Sequence, residues 1–103
     1  MSSHIVALPQ GLARAAWPSK SPDEVQDYGA DWRSRLAKDE TIASSTFVLP
    51  PGVVASKSTY SGAVAEVRIS GGANGELYRI LNRITTTAGR TLEQAIHLGV
   101  MSK

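Results

Sequence analysis

The amino-acid sequence predicts an all-β protein: an immunoglobulin-like β-sandwich of about seven strands over residues 23–103, preceded by an extended N-terminal arm over 1–22. Three observations predict it. Apolar and polar residues alternate with period two through the second half of the chain, as strands with one buried face do. Turn-forming clusters recur about every eight to twelve residues, the spacing of a sandwich. Charged residues make up 19% of the 103 positions and Ser plus Thr roughly a fifth, against a usual charged share of about 25%. That balance suits uncharged polar strand faces, not a charged helical bundle.

The arm comes first. Residues 1–22 hold three of the five prolines, Pro9, Pro18 and Pro22, around one short apolar run at 11–17 that includes Leu12 and Trp17. Proline interrupts strand pairing, so an extended segment is expected up to Ser21-Pro22. Trp17 has two readings: it folds back onto its own domain, or it anchors the arm on a neighbouring subunit, as interface aromatics do.

From Asp23 the pattern turns to strands. Tyr28, Ala30 and Trp32 recur at i, i+2 and i+4, a half-buried strand. A helix starting at Pro22, with Asp23 and Glu24 in its first turn, competes for the same residues, but Gly29 in its middle counts against it. One helical turn is expected within 34–39. The β-branched run from Thr41 to Leu49 ends at Pro50-Pro51-Gly52, a strong turn signal, and a short strand follows over 53–56. Ala63, Ala65, Val67 and Ile69 then alternate with Val64, Glu66 and Arg68 up to the glycine-rich 71–75. Tyr78, Ile80, Asn82, Ile84 and Thr86 alternate against Leu77, Arg79, Leu81 and Arg83. A compact hairpin at 87–90 leads to Leu92, Gln94, Ile96, Leu98 and Val100. Tyr78 enters its strand two residues before Ile80, the place of a tyrosine corner, with Ile where immunoglobulin domains carry a cysteine.

The same residues argue against most chemistry. With no cysteine, disulfides, thiol nucleophiles and cysteine-based zinc sites are excluded. Only His4 and His97 are present, too few for a zinc hydrolase, and His97 is expected to face solvent. No nucleophile elbow marks a serine. The glycines at 71–75 precede a strand and no lysine, so they read as a turn and not a phosphate loop. The acidic residues Asp23, Glu24, Asp27, Asp31, Asp39 and Glu40 lack calcium-loop spacing and read as a solvated face. No catalytic residue, cofactor or metal site is therefore predicted. A net charge of +2 is too weak for a nucleic-acid binder, which carries a clustered basic stripe. No apolar stretch approaches the ~18–20 residues of a spanning helix, and no signal peptide is legible. The expectation is a soluble protein made in a cytoplasm with its start retained. Arginine-over-lysine bias favours protein contacts, and the candidate interface residues are Trp17, Leu12, Leu77, Arg79, Leu81 and Arg83.

Several stretches then share an order with a known group. Asp27-Tyr28-Gly29-Ala30-Asp31-Trp32 with Leu36, followed by 39–45, resembles the opening of the small phage proteins called fiber-tail adaptors. Residues 70–78, 82–86 and 88–91 resemble their second half in the same order. The resemblance covers about Pro22 to Val100. It implies a tailed-bacteriophage virion protein, present in several copies in a symmetric assembly, that fastens tail fibers to the tail and is assembled in the host cytoplasm. It supplies no catalytic residue. Phe47 stands where that family pattern has a tryptophan. The arm is longer than the pattern, and is expected to dock on the tail or on a sister copy while the sandwich holds the fiber. The alternatives are a head-fiber or collar component, or a carbohydrate-binding sandwich, which calls for exposed aromatics clustered on one rim.

Overall fold

The computed structural model describes residues 4–9 and 14–103. Among them lie eight strands: β1 (His4–Ala7), β2 (Ala15–Ala16), β3 (Gln26–Asp31), β4 (Ile42–Val48), β5 (Val53–Ser61), β6 (Val64–Gly71), β7 (Glu76–Thr86) and β8 (Thr91–Val100). They form two four-stranded sheets, in the orders β1-β3-β6-β5 and β2-β8-β7-β4. The all-β expectation holds. Residues 23–103 hold six of the eight strands, where about seven are expected, and β1 and β2 come from the segment assigned to the arm.

Period-two patterning produces the core. Ala65, Val67 and Ile69 of β6, Ile80 and Ile84 of β7, and Ile96 and Leu98 of β8 are buried, and they join Tyr28, Ala30 and Trp32 in one cluster drawn from both sheets. The strand reading of Tyr28 to Trp32 prevails over the helix. Trp32, one residue past β3, reaches across the interior and donates its Nε1–H to Asn82 Oδ1 at 2.8 Å. The Asn82 amide donates in turn to Ser45 Oγ at 3.0 Å and to the Thr46 carbonyl at 3.1 Å. Burying an unpartnered amide is costly. Here no buried side-chain nitrogen or oxygen among the described residues lacks a partner.

The N-terminal segment departs most from expectation. Its described residues do not extend away from the domain but lie along both sheets. β1 pairs in parallel with β3, Leu8 is buried, and β2 pairs in parallel with β8. Backbone bonds from Trp17 N–H to His97 O (2.9 Å), Lys20 N–H to Gly99 O (3.1 Å) and Met101 N–H to Lys20 O (2.9 Å) continue that edge. The prolines fall between these short pairings, at positions an edge tolerates. The cause is apolar burial: the Trp17 ring stacks on Tyr28 at 4.9 Å between centroids and donates Nε1–H to the Gly29 carbonyl at 2.8 Å. Of the two readings of Trp17, the structure takes the one that folds it onto its own domain.

Three smaller differences have local causes. The helical turn is a 3-10 turn at Arg33–Arg35, started by Asp31 Oδ1 accepting the Arg33 N–H at 2.9 Å. β5 runs to Ser61, past the expected 56, because edge pairing with β6 does not need a buried face. Tyr78 accepts the Ala73 N–H on its hydroxyl at 2.9 Å, a bond back to upstream backbone of the kind a tyrosine corner makes.

Glu40 is not part of a solvated face. Its side chain is buried, and its carboxylate accepts from Ala37 N–H (2.7 Å), Thr86 Oγ1 (2.5 Å), Arg90 Nε (2.9 Å) and Arg90 Nη2 (2.6 Å). The Arg90 guanidinium, then the Ala37 and Thr86 donors, hold its pKa down to about 2. One ion pair thus fastens the loop before β4 to the β7–β8 hairpin.

Two outcomes are expected. Gly72 has φ +100, and an added Cβ would lie 2.6 Å from Val100 Cγ2. Gly72→Ala should therefore cost about 1–3 kcal/mol, read as a lower urea midpoint. For Glu40, whose folded pKa lies below its unfolded value of about 4.3, the linked stability is present above that value and is lost as pH falls toward about 2. Urea midpoints across that interval should drop more steeply for the native chain than for Glu40→Gln; parallel curves would refute the assignment.

Candidate protein interface

Strand alternation that turns Ile80, Asn82 and Ile84 inward turns Leu77, Arg79, Leu81 and Arg83 outward. All four therefore share the outer face of the β2-β8-β7-β4 sheet. Cross-strand register sets their neighbours. Leu81 lies opposite Val48 on β4 and Ala95 on β8, an apolar row across three strands. Arg79 lies opposite His97, which lies opposite Ala16 on β2. Leu77 lies opposite Gly99 and is 64% exposed, and Val48 is 45% exposed. Exposed apolar side chains grouped in this way mark contact surfaces more often than scattered ones do.

The charges on this face are unevenly satisfied. Arg83 pairs with Glu93, both about half exposed, a pair that contributes little to stability. Arg79 is exposed and makes no ion pair or hydrogen bond with any described residue. His97 is on the outer face as expected, but β2 half buries it, with Nδ1 3.3 Å from the Ala15 carbonyl oxygen.

The outer face of the other sheet differs in kind. Arg68 binds Asp27 through two bonds, at 2.7 and 3.1 Å, while Lys57 and Glu66 sit beside them in register. Both signs interleave there. The outer strand edges are also guarded. β4 carries a bulge at Ala43 whose carbonyl accepts the Tyr60 hydroxyl at 2.5 Å. β5 carries one at Ser56, followed by Lys57. Bulges and edge lysines are devices that discourage strand addition.

The structure therefore brings together four of the six candidate interface residues, Leu77, Arg79, Leu81 and Arg83. Trp17 is separated from them, 5% exposed and turned into the core. Leu12 lies outside the described residues. Sequence reasoning missed Val48 and Ala95, the partners that widen the Leu81 row; only strand register could have found them. Among the described residues, no group of three His, Asp or Glu side chains is placed to hold a metal ion.

A family model described as podophage GP4 fiber-tail adaptor protein gp77 matches residues 20–99. Among curated proteins, none matches the chain.

The division between spent and free side chains is measurable by chemical denaturation. Trp17→Ala should cost about 3–5 kcal/mol, the range for large core aromatics. Arg79→Glu should stay within about 0.5 kcal/mol, as surface substitutions do. A comparable loss from both would place Arg79 in the stabilising framework and not on a free face.

Proposed function

The chain belongs to the podophage fiber-tail adaptor family, whose members are structural components of the virion tail, and from that membership we propose that it joins tail fibers to the tail by protein–protein contact alone. Several copies, assembled in the host cytoplasm into a symmetric array, would present identical docking faces. The family match over residues 20–99 carries this reading, and the free outer face of the β2-β8-β7-β4 sheet supplies a surface for it. Trp17 contributes by holding the N-terminal segment against its own domain.

The strand orders support an immunoglobulin-like layout for this adaptor. β3-β6-β5 and β4-β7-β8 follow the B-E-D and C-F-G orders of that architecture, with β2 added beside β8. The parallel pairing of β1 with β3 is its own variation.

No observation favours the carbohydrate-binding reading. Of the six aromatic residues, Trp17, Tyr28 and Trp32 are buried, Phe47 and Tyr78 are partly buried, and Tyr60 bonds through its hydroxyl to Ala43. They form no exposed rim.

Particles produced by a phage lacking this gene should carry tails without fibers, and supplying the chain in trans should restore them. Electron microscopy of purified particles reads the result. Crosslinks from the virion-bound chain only to capsid subunits would instead support a head-fiber component and refute the tail role.

A further inference from the structure

Resting on the adaptor reading, we propose that the outer face of the β2-β8-β7-β4 sheet receives a partner protein surface on which carboxylates flank apolar side chains, with Arg79 as the anchoring cation. Two observations and one property of arginine fix the chemistry. Leu77, Leu81, Val48 and Ala95 give the face an apolar body, which calls for apolar side chains opposite. Its one carboxylate among the β7 and β8 residues facing outward, Glu93, is already engaged by Arg83, so Arg79 is left uncompensated. Arginine reads carboxylates through a planar fork of donors, and an uncompensated arginine on an apolar face gains from a partner that brings its own negative charge.

The partner is a different protein, not a second copy. The carboxylates of this chain with no ion pair or hydrogen bond among the described residues are Asp23, Asp39 and Glu76. They sit at three separate places: before β3, before β4 and at the start of β7. Asp23 and Glu76 do stand beside the exposed Val25 and Leu77, so it is the adaptor reading, which requires a face for the tail or the fiber, that selects a different protein. A phosphate backbone fits no better, because it would leave the apolar body of Leu77, Leu81, Val48 and Ala95 unmatched.

The test uses a phage deleted for this gene and complemented with variant chains. Copies of adaptor and fiber per purified particle are counted by quantitative mass spectrometry. Arg79→Glu should lower adaptor or fiber occupancy at least tenfold: loss of both means the face meets the tail, and loss of fiber alone means it meets the fiber. Arg79→Lys, which keeps the charge but not the fork, should fall between the wild type and Arg79→Glu, and Lys57→Glu, on the opposite sheet, should keep full occupancy. Circular dichroism and the urea midpoint establish that each variant is folded. Wild-type occupancy with Arg79→Glu, or equal losses with Lys and Glu at position 79, would overturn the proposal while leaving the adaptor reading intact. Fibers retained on particles that lack the protein would overturn the adaptor reading itself. A photocrosslinker at position 77 that captures only sister copies would overturn the choice of partner.

Discussion

One polar contact inside an apolar core governs how this protein presents itself. The Trp32 indole meets Asn82 in the middle of β7, and the Asn82 amide reaches two residues of β4. In a strand, a slip of one residue exchanges the two faces. Such a slip would strand the Asn82 amide in solvent, leave the Trp32 N–H unpartnered in the core, and drive Arg79 and Arg83 inward. Ordinary apolar packing tolerates exchange among side chains of similar volume; a buried amide with three bonds does not. The outer face of β7 is therefore specified from the inside.

The division of labour between faces and edges follows. A module that must be recognised repeatedly in an assembly gains from a broad, rigid surface, and the pairing of β7 with β8 over ten successive positions provides one. Its edges work in the opposite sense: the bulges at Ala43 and Ser56 and the extra edge formed by 15–20 along β8 limit indiscriminate strand pairing. For a member of the fiber-tail adaptor family, the proposed contact is thereby one made by side chains and not by backbone.

How much of this was legible in the sequence depended on the contrast between neighbouring residues. β6, β7 and β8 alternate sharply, so their inward and outward residues could be separated by inspection, and four interface candidates fell on one face. β5 is legible only to 56, because Lys57 to Ser61 are exposed on both sides, which leaves no period to see. The N-terminal strands leave no trace in the sequence because they are two and four residues long and pair in parallel with distant partners, a relation that has no local signature. Glu40 looked like any surface acid, since Arg90, its counterion, lies fifty positions away. Trp17 could be narrowed to two readings, but only the position of Tyr28 and Gly29 in space decides between them.

The parallel pairing of β2 with β8 also has a consequence for biosynthesis. Ala15 and His97 are eighty-two positions apart, and β8 is the last of the eight strands to be translated. The segment carrying Trp17 leaves the ribosome before β8, and its pairing is complete only once β8 has followed it. Closing so long a loop slows folding, and until then the Tyr28 side of the core stays open to water. A chain truncated before β8 would keep the berth of β1 on β3 but lose the partner of β2.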